Sequence, residues 1–360
     1  MKLSIADVSP VPLHGTASTA LANTVDLCTR ADQLGYHRYW VAEHHGDGAV
    51  VGGCAPEVMI AHLAAVTDRI RVGSGAILVN HANPLRVAEN FRALSALHPG
   101  RIDLGLGRAD SVVPFVDLAL AADRAAGAER AEDPPDPLAA MTGWLEHEER
   151  VGEIIAWLED GFAERHPFST IVLPGDGRDL QSWVLGASDS SALLAARLGM
   201  RYCYGAFINP RGVIRAMRIY RDAFRDGAGG CGSTAHAMLA VNVCCADTDA
   251  AADRLRASAE LFHRRATAGA ARAPLADPDV AIAELGGRPA PTVPGSEPWP
   301  VSLSGGPQRV VDMISEMATK TSADEVVLQD LIAVHTDRCR SYELIAEAFD
   351  LAGSSLSVGR

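Results

Sequence analysis

The stretch RIRVGSGAILVNHANPLRVAENFRALSALHPGRIDLGLGR, Arg69 to Arg108, holds a strand, a helix and a second strand in close succession. Ile70–Val79 is rich in β-branched residues, with glycines inside it, which reads as a strand. Asn83-Pro84 reads as an N-cap followed by proline at the first helical position. Beyond it Val87, Ala88, Phe91, Leu94 and Leu97 fall on one helical face, while Arg86, Glu89 and Arg92 fall elsewhere. Pro99-Gly100 punctuates, and Ile102–Leu106 is the next strand. Regular alternation of this kind means a parallel sheet.

The same rhythm runs outward in both directions. Before this stretch come strand Leu3–Ala6, ended by Ser9-Pro10, helix Ala17–Leu34, stopped by Gly35, strand Arg38–Val41 and helix Pro56–Val66. After it come helix Leu145–Leu158, strand Trp183–Leu185, helix Ser188–Leu198, strand Tyr202–Phe207 and a helix opened by Asn209-Pro210. Strand His236–Cys245, helix Ala250–Arg265, helix Pro307–Ala318, strand Glu325–Leu328 and helix Arg340–Phe349 complete the chain. About eight alternations at this length predict a closed (β/α)₈ TIM barrel rather than an open sheet. Two segments break the pattern. Ala109–Gly143 carries Asp133-Pro134-Pro135-Asp136-Pro137, and 267–300 is rich in Pro and Gly and ends in Glu297-Pro298-Trp299-Pro300. We read 1–360 as a single barrel domain with both segments as insertions at the C-terminal face, where long loops shape or cover an active site. Solvated decoration explains 120–137 equally well. No internal repeat is present.

Composition narrows the class. Of 360 residues, 48% are apolar and 21% charged, an ordinary globular mixture, and the net charge is −13. An acidic chain does not suit a nucleic-acid backbone. The opening MKLSIADVSP is no signal peptide, and no apolar run approaches the roughly 20 residues that span a bilayer. The cysteines are Cys28, Cys54, Cys203, Cys231, Cys244, Cys245 and Cys339. Their odd number and the lack of a C-x-x-C pair argue against a disulfide framework or a zinc site, so a cytoplasmic protein with reduced thiols and no metal is expected.

Three clusters can carry chemistry. In Tyr39-Trp40-Val41-Ala42-Glu43-His44-His45 a strand runs straight into an acid and two histidines. At the C-terminal end of a barrel strand such side chains face the site, and a histidine there titrates near neutral pH. One structural and one solvated histidine would explain the same spacing. A zinc reading lacks the H-E-x-x-H spacing and a second ligand cluster. Gly105-Leu106-Gly107-Arg108 sets two glycines after a strand, where backbone can approach a ligand, and a guanidinium fork for a phosphate just beyond. As a dinucleotide fingerprint it fails, since Asp110 stands at the third glycine position. A tight turn with a surface arginine is the plain alternative. Gly186-Ala187-Ser188-Asp189-Ser190-Ser191 places small hydroxyl residues at a helix N-terminus, which suits either an anion site or ordinary N-capping by Ser188 or Ser190. Gly305-Gly306-Pro307 is a similar turn.

Together these pieces resemble the bacterial luciferase-like monooxygenase family. The resemblance is densest from Gly35 to Arg108, in GYHRYWVAEHH (35–45) and the stretch quoted at the outset. WVLGASDSSALLAARLG (183–199) and TSADEVVL (321–328) extend it over most of the chain. The resemblance implies a flavin-dependent monooxygenase on a (β/α)₈ barrel. A separate NAD(P)H flavin reductase delivers reduced FMN, oxygen adds at flavin C4a, and the hydroperoxide oxidises a small organic substrate. By position His44 resembles the catalytic histidine and Arg108 the flavin-phosphate arginine. Ser188 and Ser191 resemble ligands of the same phosphate, with Ala187 beside them. Gly75-Ala76 matches the place of a non-prolyl cis peptide under the isoalloxazine ring. A homodimer packed through Pro56–Val66 and Pro84–Leu97 is implied as well, although burial against the barrel explains the apolar faces of those helices equally.

The chain departs from its models in two places. Light-emitting members carry a reactive cysteine just before the phosphate arginine, where this chain has Gly107. Many close relatives have paired histidines after the strand that ends near Phe207, where this chain has Ala206-Phe207-Ile208-Asn209. The substrate side of the pocket is therefore expected to differ. The Ala/Arg/Gly-rich composition resembles that of actinomycete proteins that tailor natural products, so hydroxylation or epoxidation of a secondary metabolite, as in antibiotic biosynthesis, is the expected reaction. The alternatives are hydride transfer with a deazaflavin coenzyme, a non-catalytic flavin-binding barrel and, on the two adjacent histidines alone, a metal-dependent hydrolase.

Overall fold

A computed structural model describes residues 1–12, 14–46, 48–108, 120, 137–175, 177, 179–225, 234–268 and 273–352. Its strands are β1 Lys2–Asp7, β2 Arg38–Val41, β3 Arg71–Ser74, β4 Ile77–Leu78, β5 Ile102–Gly107, β6 Gln181–Gly186, β7 Arg201–Gly205, β8 Ala237–Cys245, β9 Ser302–Gly305 and β10 Glu325–Gln329. Every pairing between them is parallel, with register such as Ile5↔Tyr39, Trp40↔Gly73, Gly105↔Trp183 and Val327↔Ala240. The sheet runs from β10 through β1, β2, β3, β5, β6 and β7 to β8, and β8 pairs back with β10. Since β3 and β4 both pair with β5, they act as one interrupted strand, and the ring is the expected eight-stranded barrel. β9 lies outside the ring against the far half of β8, from Asn242↔Ser302 to Cys245↔Gly305.

Helices cover the outside: α1 Ala17–Leu34, α2 Pro56–Ala65, α3 Pro84–Leu97, α4 Pro137–Leu158, α5 Asp189–Arg197, α6 Val213–Ala223, α7 Asp249–Leu255, α8 Ala257–Thr267, α9 Pro278–Leu285, α10 Pro307–Thr321 and α11 His335–Ala348. Their ends obey local chemistry. Asn83 caps α3, its side chain accepting from the Arg86 N–H, and proline follows it. Gly35 closes α1 at φ 87°, and a Cβ there would sit 2.9 Å from the Leu351 carbonyl oxygen, so conformation and space both demand glycine. The main core is the shell between strands and helices, where Leu3, Ile5, Val72 and Leu104 meet Leu27, Ile60, Phe91 and Ile345.

Several elements differ from the sequence reading. Ile70–Val79 is two strands parted at Gly75-Ala76, whose peptide is cis, with a 3₁₀ turn at Val79–His81. Asn209-Pro210 opens a turn instead of a helix. The Asn209 side chain accepts from the Gly212 N–H and α6 starts at Val213. Ala250–Arg265 is two helices divided at Arg256, whose buried guanidinium turns inward to Ser304 at 2.9 Å. The Pro- and Gly-rich 267–300 segment contains α9, and β9 follows it. The expected insertion at 109–143 falls, up to residue 136 and apart from residue 120, outside the described residues. Cys231 lies outside them also, and the six described cysteines are free.

Inside the barrel the chemistry is layered. At the N-terminal end Arg38 donates to Asp103 (2.7 Å), Glu325 (3.1 Å) and Gln181 (2.8 Å), and Arg71 also meets Asp103 (2.7 Å). Burial opposes the Asp103 charge, yet Arg38 and Arg71 hold its carboxyl below the usual range, whereas burial pushes Glu325 up. Above them Trp40, Trp183, Cys203, Met238 and Val327 form an apolar plug, with the two indoles edge to face at 5.5 Å. The C-terminal end is open. This division, a stabilising floor and an open top, is the usual one for the fold.

Candidate active site

A cavity of about 510 Å³ lies over the C-terminal ends of the strands. It gathers all seven residues singled out from the sequence: His44, Gly75, Ala76, Arg108, Ala187, Ser188 and Ser191.

The first of them comes from the exit of β2. Glu43 accepts from the Leu78 N–H with Oε2 at 2.7 Å and meets His45 Nε2 with Oε1 at 2.6 Å. The carboxylate thus ties the loop after β2 to β4 and holds one histidine of the pair. The His44 N–H donates to the Gly53 carbonyl at 3.0 Å, and its more exposed side chain lines the cavity. Both histidines line the cavity, and His45 is the one paired with Glu43.

Across from it, Gly75, Ala76 and Gly107 make a shelf of backbone. A Cβ on Gly75 would come within 3.0 Å of Trp40 Cβ, and one on Gly107 within 3.0 Å of Ala76 Cβ. Both glycines are therefore packed too closely for a larger residue, which keeps this part of the lining small. Arg108 leaves the shelf with its guanidinium 5.4 Å from the Trp144 ring. Its Nε is buried and has no hydrogen-bond partner among the described residues. A buried cationic donor without an acceptor is costly and invites an anion.

The N-terminus of α5 faces the same space. Ser188 and Ser191 form a capping box, the Ser191 N–H donating to Ser188 Oγ at 3.2 Å. The Ser191 hydroxyl also meets Tyr202 at 2.9 Å, so it is committed to the helix end. Asp189, whose charge would repel an anion, pairs with Arg215. The capping reading of this segment is met, and the same helix end lines the cavity.

The remaining walls are mostly apolar, with Val8, Trp40, Val184, Leu185, Phe207 and Ile208 among them. Phe207 and Ile208 occupy the stretch where paired histidines were noted as missing. Cys203 also lines the cavity, but burial pushes its thiol well up, so it stays protonated. Sequence reasoning missed Trp144, His147 and Gln329. Trp144, His147, Val151 and Ile154 recur at helical spacing on the inward face of α4, and a histidine within that apolar row was the available signal.

Comparison with known proteins agrees with this geometry. The family model for luciferase-like monooxygenases matches residues 1–325. A luciferase-like monooxygenase of Escherichia coli (strain K12) is 31% identical over 346 residues, covering 95% of both chains. The crystal structure of apo-MsnO8 superposes with a TM-score of 0.81 at 40% identity, covering 97% of this chain and 98% of that one. Two more distant structures share the barrel. The oxygenating constituent of 3,6-diketocamphane monooxygenase from Pseudomonas putida, solved with FMN, has a TM-score of 0.65 at 19% identity and covers 97% of each chain. The coenzyme F420 dependent tetrahydromethanopterin reductase of Methanopyrus kandleri has a TM-score of 0.64 at 15% identity, covering 98% of this chain and 99% of that one. The chain belongs to the luciferase-like monooxygenase family.

Proposed function

We propose that this protein is the oxygenase of a two-component system, taking reduced FMN from a separate NAD(P)H flavin reductase and hydroxylating or epoxidising a small, largely apolar organic molecule. The observation that carries this reading is the polarity of one cavity. A buried, unpartnered Arg108 Nε, a helix N-terminus, the small residues Gly75, Ala76 and Gly107, and apolar walls all line the same space. Those surfaces suit a phosphate, a flat ring and an apolar substrate.

When bound, reduced FMN supplies the electrons that activate O₂. The protein does the rest. Arg108 and the first turn of α5 hold the phosphate as a charge-assisted anion site. Gly75, Ala76 and Gly107 admit the ring close to backbone. His44 holds or moves a proton at the oxygen end of the reaction, and the Glu43–His45 pair keeps its loop in place. Trp40, Phe207 and Ile208 exclude water from the substrate side. The light-emitting chemistry of some relatives is not part of the proposal, since Gly107 leaves no thiol beside Arg108.

We take the working form to be a homodimer in the reducing cytoplasm. Val58 on α2 and Leu97 on α3 are 69% and 71% exposed, which suits an interface there, and the described thiols are unpaired. No described helix is long and apolar enough to cross a membrane.

The test is an anaerobic titration with FMNH₂, reduced riboflavin and reduced deazaflavin coenzyme in parallel. FMNH₂ should bind most tightly. Preference for the deazaflavin would replace the proposal with hydride transfer, and no preference for the phosphorylated flavin would remove Arg108 from the phosphate.

A further inference from the structure

On the outer face of the barrel, far in sequence from one another, an acid, an imidazole and a thiol converge. Asp26 lies on α1, while His335 and Cys339 lie one turn apart on α11. Asp26 Oδ2 is 2.8 Å from His335 Nε2 and 3.7 Å from Cys339 Sγ, and Sγ is 3.5 Å from His335 Nε2. None of the three lines the cavity. We infer that Asp26, His335 and Cys339 form a binding site for a divalent zinc-like cation.

The distances carry the inference. Bonds of about 2.0–2.3 Å to oxygen, nitrogen and sulfur at tetrahedral angles put the ligand atoms roughly 3.3–3.6 Å apart. Of the two contacts that involve sulfur, the one to His335 (3.5 Å) is at that spacing and the one to Asp26 (3.7 Å) just beyond it, and the third is short because imidazole and carboxylate share a hydrogen bond. One oxygen, one nitrogen and one sulfur donor suit zinc better than calcium or magnesium. His335 and Cys339, four residues apart, project from one face of a helix, and the packing of α1 on α11 delivers the carboxylate. The sequence reading set zinc aside for want of a local spacing motif. Here the ligands come from both ends of the chain, 309 residues apart.

The charges fit as well. Asp26 is exposed, and its slight desolvation is outweighed by hydrogen bonds from His335 and Arg30, which hold its carboxyl below the usual range. A thiol binds such a cation as the thiolate, so its proton leaves to solvent on binding. Arg30 now supplies positive charge to Asp26 from 2.8 Å, and its Nη1 is also 3.5 Å from Glu343. On binding it would turn to Glu343, leaving the fourth position to water. Occupancy would tie the first helix of the barrel to the last.

The experiment is a titration of the full-length protein with Co²⁺ as a spectroscopic probe, followed by competition with Zn²⁺. We expect one equivalent to raise a near-ultraviolet thiolate-to-cobalt band that Zn²⁺ abolishes. Cys339→Ser should lose the band, and Asp26→Asn and His335→Ala should weaken binding at least about tenfold. Arg30→Gln should tighten it, and Cys54→Ser should change nothing. Zn²⁺ should also raise the melting temperature of the wild type and not of Asp26→Asn, a change at an exposed position that leaves the core intact. No thiolate band in the wild type, or a band that survives Cys339→Ser, overturns the inference.

Discussion

A histidine at the mouth of a barrel is useful only if its loop is held, and the loop here is held by Glu43, which bonds both Leu78 and His45. His44 lines the cavity beside it. We expect His44→Ala to keep FMN affinity and to lose turnover by roughly 10²–10⁴-fold, the usual worth of a positioned acid or base, in coupled assays with a reductase. Unchanged turnover would take His44 out of the chemistry. Arg108→Ala should weaken FMN and leave riboflavin nearly unaffected, since only FMN carries the phosphate. Equal losses in titrations of the two ligands would sink the assignment. At this scale the sequence was informative because these residues follow strands directly. Trp144 and His147 were not legible as site residues, because a helical face seen alone does not reveal what it covers.

At the scale of elements, the N-terminus of α5 is both a capped helix end and part of the cavity lining. Ser188→Ala removes the cap and should cost about 1 kcal/mol in urea unfolding, with weaker FMN binding in the same variant. Normal FMN affinity in a destabilised Ser188→Ala would leave Ser188 a cap and nothing more. Helix starts marked by such chemistry were readable: Ala17–Leu34 and the Asn83 cap stand where the sequence put them. Breaks were not. The division at Arg256 depends on its side chain reaching Ser304, and the start of α6 depends on Asn209 closing a turn on Gly212. Those are tertiary and side-chain events that periodicity does not contain. Proline and glycine hid α9 for the same reason that they usually mark loops.

Across the whole molecule, closure of the ring rests on a floor of buried charge. Arg38 sits between Asp103 and Glu325 with almost no exposure, so Arg38→Met strands Glu325, leaves Asp103 to Arg71 alone, and should cost roughly 3–5 kcal/mol by denaturant melt. A neutral result would mean that the carboxylates simply take up protons. Acid should act earlier, through histidine. Burial holds His236 at about 4 and His37 at about 3, below their ordinary value of 6.5, so the unfolded chain takes up protons that the folded one refuses. Stability from these histidines is then full above pH 6.5 and falls as pH drops toward their values, and that from the depressed Asp7 and Asp103 is present above their ordinary 3.8 and lost as pH falls further. Glu325, whose value is raised, acts in the opposite sense. Urea midpoints between pH 7 and pH 5 should decline in the wild type and decline less in His236→Gln. Closure itself was legible from the alternation of elements. The floor was not, since Arg38, Asp103 and Glu325 meet only when the ring closes.

The most direct test of the central claim is to mix the anaerobic FMNH₂ complex with oxygenated buffer and follow absorbance in a stopped-flow instrument. A transient that outlasts the oxidation of free FMNH₂ and that shortens in His44→Ala is expected. Oxidation at the rate of free FMNH₂, despite tight binding, would contradict it and leave a protein that holds flavin without using it.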